Sequence, residues 1–285
     1  MKLIIKKIIF FLKTYLNLHQ LNSVELSGKL ILFSKFKLIS KTHLEVPFSL
    51  GRTPRGISFK NLNNDKLKGS KQDLVGRLIL DQLNGVSNDQ IIKKHLLLLK
   101  KEENLTAAEV MHCPNNKYLK SYPAWASVRP WDKLSIKNKY DNYIELLFKN
   151  RNKHGAKFIV KKSRLKKEEI YSNNIAISHV KQYEKLIKSV REKGIEKTNI
   201  LQMPQIIILI NNSGQWRWII TAGTHRAYIF YFLGLEQFSA IIEDVIYRES
   251  LASCYNVKNK LYSLEEAENI FDEIFKGSSS IGQIV

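Results

Sequence analysis

The run Trp218-Ile219-Ile220-Thr221-Ala222-Gly223-Thr224-His225-Arg226-Ala227 sets a glycine, a hydroxyl, an imidazole and a guanidinium side by side, where an apolar strand pattern gives way to a helix pattern. A glycine at such a turn lets the backbone approach a ligand closely. The free N–H groups and the positive dipole end of a helix starting near Thr224 favour an anion. His225 and Arg226 add side-chain donors, and a guanidinium can grip a phosphate with two bonds. Gly223, Thr224, His225 and Arg226 together read as a cradle for a di- or triphosphate. The plainer alternative has His225 capping the helix and Arg226 paired with a surface carboxylate.

Three further groups carry polar chemistry. Ser178, His179 and Gln182 stand at the start of an expected helix; His179 can contact a phosphate, or Ser178 can simply cap the helix beside a surface histidine. Asn150 to Gly155 reads as a polar loop in which Asn150, Arg151 and His154 bind an anionic substrate, or as a solvated loop. Trp125, Trp131, Trp216 and Trp218 can stack a base, or serve a core. The seven histidines show no metal-ligand spacing with the two cysteines, Cys113 and Cys254.

The elements that must position these groups follow from periodicity. A helix is expected over 178–193, with Val180, Tyr183, Leu186, Ile187 and Val190 on one face, ended by Gly194. Ile206–Ile210 reads as a buried strand, Asn211 to Gly214 as a turn and Trp216–Thr221 as the returning strand. A helix from Thr224 to Leu233 and a last strand Phe238–Ile246 follow. Ser263 and Glu266 form a capping box for a C-terminal helix over 264–275. Upstream, the spacing predicts helices over 71–84 and 88–101, and Thr106 and Glu109 form a second capping box. Residues 24–60 suggest a few strands, 114–124 a linker, Trp125 to Trp131 one strand ended at Pro130, and 133–153 a charged helix. Residues 1–18 read as a basic amphipathic helix that can rest on an anionic membrane surface or dock on the protein body.

Of 285 residues, 44% are hydrophobic and 25% charged, which excludes wholesale disorder. No apolar run reaches the roughly 18 residues a spanning helix needs. Two cysteines are too few for a disulfide framework and fit a reducing, cytoplasmic setting. The net charge of +20 points to a polyanion. Yet only ten of the 46 basic residues are arginine, and residues 201–285 carry a net −3. A solvated lysine surface, capable of nonspecific nucleic-acid contact, explains the charge equally well.

The order of helix, strand, turn, strand, Gly-x-His-Arg, helix and strand resembles the ParB/sulfiredoxin superfamily over roughly residues 121–247. Gly223-Thr224-His225-Arg226 resembles its second motif, Val128-Arg129-Pro130-Trp131-Asp132 its first, and Leu186 to Gly194 its helix end. The motifs are closest to the free-serine-kinase-like branch and to uncharacterised ParB-like proteins of polysaccharide loci, a pointer to polysaccharide biosynthesis. Sulfiredoxins carry a catalytic cysteine at the Thr224 position, so sulfinic acid reduction is not expected. Chromosome-partitioning members carry a helix-turn-helix DNA-binding domain after this core; the roughly 38 residues after the last strand hold one expected helix, so partition-site binding is not expected. In the kinases, a carboxylate two residues after the first-motif proline acts as general base, which the resemblance assigns to Asp132. Ala222 replaces an aspartate that the kinases carry. The helix beginning at Ser178 faces the nucleotide in this fold, which makes His179 the next candidate base.

The expected architecture is α/β in the α+β sense. A mostly helical N-terminal accessory region (1–120) precedes a ParB/sulfiredoxin-like core (121–250), and a C-terminal helix and tail (251–285) follow. The resemblance implies a nucleotide-dependent phosphotransferase that uses ATP or another nucleoside di- or triphosphate with Mg²⁺ on a small polar metabolite or sugar intermediate. The alternatives are a nucleotide-switched DNA-binding protein and a ParB-like nuclease.

Overall fold

The apolar run Gln205–Ile210 (β3) is the centre of a five-stranded sheet in the computed structural model, which describes residues 43–62, 74–153, 173–193 and 203–278. The other strands are His43–Pro47 (β1), Gly51–Arg52 (β2), Trp216–Ala222 (β4) and Gln237–Tyr247 (β5), in the order β1-β5-β3-β4-β2. β3 pairs antiparallel with β4 and parallel with β5, so the sheet is mixed. The β3–β4 turn closes as its composition predicts, with Gly214 N–H donating to the Asn211 carbonyl at 3.0 Å.

Both faces of the sheet are covered, and that is why β3 has no polar alternation. Ile206, Ile208, Ile210, Trp216, Trp218 and Ile220 face one core, and Ile207, Leu209 and Ile219 face another. The first core is closed by Leu74–Leu83 (α1), Asn88–Glu103 (α2), Asn173–Lys193 (α6) and Thr224–Phe232 (α7). The second is closed by Ala107–Val110 (α3), Lys117–Lys120 (α4), Ile136–Lys153 (α5), Tyr255–Lys258 (α8) and Leu264–Lys276 (α9). The fold is α+β.

Both capping boxes form, Thr106 with Glu109 and Ser263 with Glu266. Other expectations need correction. The boundary near residue 120 does not divide the sheet: β1 pairs with β5 and β2 with β4, so residues 43–52 are part of the same body as 205–247. Residues 114–124 are no linker, because Asn116 caps α4 and both Leu119 and Ala124 are buried. Trp125 to Trp131 is no strand. Ala124–Ala126 is a 3₁₀ turn, and its chain continues irregularly through Pro130. Pro123 and Pro130 each lack a ladder N–H, the Ala126 and Ser127 N–H groups turn back onto Pro123 and Ala124, and the apolar side chains of the segment fill the second core. Residues 1–18, the weak alternation at 30–38 and the tail beyond 278 lie outside the described residues.

Arg52 ties the two ends of this body together. It is 4% exposed. Its Nε donates to the Ile274 carbonyl at 2.9 Å and its Nη1 to the Gly51 carbonyl at 2.9 Å, while Nη2 donates to the Phe275 carbonyl. These last-turn carbonyls of α9 lack intrahelical donors, and a cation suits that end of the helix dipole. Burial, with Arg217 nearby, brings the Arg52 guanidinium down to about 10.

Candidate functional site

β4 ends at Ala222, and Gly223 turns the chain into α7 with φ 72° and ψ 22°. The glycine is required twice over. Its φ is in the left-handed region, and a Cβ there would lie 2.8 Å from the Pro204 Cα. The close approach is therefore to the protein's own backbone. The Gly223 carbonyl accepts from Arg226 N–H at 3.0 Å and from Ala227 N–H at 3.2 Å. Thr224 and His225 precede the first helical bond, so their N–H groups belong to the positive end of the helix.

This junction forms one wall of a cleft of about 590 Å³, lined by Thr221 to Arg226. The facing wall is α6, which contributes Gln182, Lys185, Leu186 and Ser189. These four are spaced i, i+3, i+4 and i+7 and so share a face, while Tyr183, Ile187 and Val190 of the same helix are buried in the first core. The cleft thus carries Lys185 and Arg226 as cations, the His225 ring and the start of α7; among the described residues that line it there is no carboxylate, and the Glu243 carboxylate accepts from the Thr221 hydroxyl on its wall. An anion is the ligand that this balance favours.

Behind the cleft wall stands a histidine cluster. His225 packs edge-on against Tyr183, with ring centroids 4.8 Å apart. His179, one turn before Tyr183 on α6, has its Nδ1 3.2 Å from Nε2 of His95 on α2. Burial, with His179 nearby, pushes His225 and His95 each down to about 4, and burial lowers His179 as well. All three rings are neutral at pH 7. Among the described residues, no group of three or more histidines, cysteines or carboxylates is placed to hold a metal ion.

Gly223, Thr224, His225, Arg226 and Gln182 come together as the sequence suggests. The other expected residues fare differently. The helix starts at Asn173, so Ser178 is an interior position and caps nothing; its side chain lies outside the described residues. His179 faces His95 behind the cleft. Asn150 and Arg151 continue α5 rather than forming a loop. Their side chains, and all of His154, lie outside the described residues.

Asp132 is the main correction. It is not among the residues lining the cleft. Its neighbours Trp131 and Ile136 are in the core on the other face of the sheet. Its Oδ2 accepts from Arg129 N–H at 2.8 Å, and its Oδ1 lies 3.9 Å from Nη1 of Arg129, which is 1% exposed. Arg129 in turn donates to the Pro54 carbonyl at 2.7 Å, and Asn256 Nδ2 donates to the Arg129 and Asp132 carbonyls at 2.9 and 3.0 Å. Asp132 is the counter-charge of a buried arginine. The tryptophans are likewise structural. Trp218 donates to the Pro47 carbonyl at 2.8 Å, Trp125 stacks on Tyr140, and Trp131 packs edge-on against Phe271. Cys113 and Cys254 are free thiols, and burial pushes Cys113 up to about 12.

Lys185, Ser189 and His95 escaped the sequence reading. The polar i, i+3, i+7 stripe Gln182–Lys185–Ser189 was the available signal for the first two. His95, four residues after Ile91 on an apolar face, was the signal for the third. Comparison with protein-family models, with curated proteins and with solved structures gives no match.

Proposed function

We propose that the chain binds the phosphate groups of a nucleotide, or of another phosphate ester, in the Gly223–Arg226 cleft and acts as a phosphotransferase on a small polar acceptor. One observation carries the reading: the start of α7, Arg226 and Lys185 converge on one cleft. Phosphoryl transfer asks mainly for positioning and charge neutralisation. Here the Thr224 and His225 N–H groups orient the phosphate oxygens, and Lys185 and Arg226 offset their charge. With Asp132 engaged elsewhere, the neutral His225 ring is the titratable base on the cleft wall, and it is the group able to take the acceptor's hydroxyl proton. Any divalent cation would arrive with the nucleotide, and no step is assigned to it.

The test is a thermal-shift panel of ATP, ADP, CTP and GTP on the full chain, followed by an acceptor screen with labelled nucleotide. A ligand at about 100 times its dissociation constant adds roughly 2.7 kcal/mol of stability. Arg226→Ala and Lys185→Ala should each reduce that shift. No stabilisation by any phosphate ester would overturn the reading. The cationic lining of the cleft also supports a second reading, a nucleotide-gated nucleic-acid binder. Salt-sensitive DNA binding that changes with nucleotide, without transfer of label, would select it.

A further inference from the structure

We propose that Glu243, steadied by Thr221, is the protein's ligand for a divalent cation carried into the cleft on the phosphates of a nucleotide. The inference rests on the phosphate-binding reading of the cleft and adds the residue that recognises the cation.

Glu243 reaches the cleft through an irregularity in the sheet. Ile206 pairs with Ile242 and Ile207 with Asp244, so β5 carries one residue more than β3 at that step, and the extra residue is Glu243. Such a bulge turns a side chain out of the regular alternation. Glu243 is exposed, and its Oε2 accepts from the hydroxyl of Thr221 on β4, although β3 lies between the two strands. Thr221 is on the cleft wall, two residues before the Gly223 turn. The adjacent carboxylate is committed elsewhere. Asp244 Oδ2 lies 2.7 Å from Lys133 Nζ, and its Oδ1 accepts from Val245 N–H at 2.9 Å. Among the described residues, no cation pairs with Glu243.

A carboxylate at this place works against the cleft, because it repels the phosphate that Lys185 and the start of α7 attract. A divalent cation between the two removes the conflict. The donor set fits magnesium: a carboxylate and a hydroxyl are hard oxygen donors, and Mg²⁺ is ordinarily held by one or two carboxylates together with substrate phosphates and waters. Among the described residues no three such protein ligands converge, so the phosphates have to complete the coordination. Glu243 therefore changes the sign of its effect. It opposes a bare nucleotide and assists one that brings the cation.

Calorimetric titration of the full chain with ADP, once with magnesium chloride in excess and once with EDTA, reads this reversal. The parent should bind ADP about three- to tenfold more tightly with magnesium, the size of one exposed charge contact. Glu243→Gln, folded by its melting curve and still able to accept from Thr221, should bind ADP more tightly than the parent in EDTA and less tightly in magnesium. Asp244→Asn should respond to magnesium as the parent does. In the unmodified chain, manganese bound with ADP should broaden the Glu243 and Thr221 amide signals. A Glu243→Gln chain that keeps the parent's magnesium response, an Asp244→Asn chain that loses it, or manganese that leaves both amides sharp would overturn the role of Glu243 while leaving the phosphate site in place. No binding of ADP by the folded chain in either medium would overturn the phosphate site and this inference together.

Discussion

Gly223→Ala is the perturbation whose cost can be worked out most closely, because Gly214 supplies an internal control. Both glycines have positive φ, 72° and 76°. An alanine held there costs about 1–2 kcal/mol in the native state. Its reduced freedom in the unfolded chain returns about 0.4–1 kcal/mol. At Gly214 a Cβ meets nothing within 4 Å, so Gly214→Ala should lose about 1 kcal/mol and no more. At Gly223 the same Cβ would lie 2.8 Å from the Pro204 Cα and 3.3 Å from the Pro204 N. Pro204 cannot easily retreat, since its carbonyl accepts from Ile241 N–H at 2.9 Å and so is part of the sheet. Forcing a methyl into packed backbone costs a further 1–3 kcal/mol or so. Urea unfolding of the parent and both variants, analysed by linear extrapolation, measures the difference. Phosphate-ester affinity should also fall in Gly223→Ala and hold in Gly214→Ala, because only the first displaces the β4–α7 junction. Equal losses of stability, within about 0.5 kcal/mol, would refute the claim that contact with Pro204 shapes the cleft.

Other outcomes follow from the same contacts. Asp132→Asn should cost about 1.5–3 kcal/mol, the range for a hydrogen bond to a charged group, by unbalancing buried Arg129; nucleotide affinity at the cleft should be unchanged, which equilibrium binding checks. Arg52→Met should destabilise by several kcal/mol, because the α9 carbonyls lose their donors, and the chemical midpoint of unfolding reads this directly. Stability should fall on acidification from pH 6.5 towards 4. Over that window unfolded histidines at about 6.5 bind protons that His95 and His225, at about 4, do not. The slope is at most about 1.4 kcal/mol per pH unit for each histidine, and a His95→Gln variant should flatten it.

The C-terminal half was the legible half, and the reason is local. Strand, turn, strand, helix and strand over 205–247 are neighbours in sequence as well as in space, and each carries its own period or turn residues. The capping boxes are legible for the same reason, because both partners are three residues apart. What failed is non-local. Nothing within residues 43–52 says that they complete the sheet beside β5 and β4. Trp125 to Trp131 has strand-like composition, but its bracketing prolines and the second core decide its path. The cradle at Gly223–Arg226 could be read as a contiguous motif. Lys185 and the His95–His179 contact depend on how α6 and α2 pack, which spacing along one helix only hints at.

The most direct measurement is a two-dimensional ¹⁵N–¹H titration of the labelled full chain with ADP, with the Gly223–Arg226 amides assigned. Binding at the start of α7 should shift the Gly223, Thr224, His225 and Arg226 amides first, with Lys185 and Ser189 across the cleft following. Arg226→Ala should right-shift the whole titration. Shifts confined to residues elsewhere in the chain, or none at millimolar ADP, would contradict a phosphate site in this cleft.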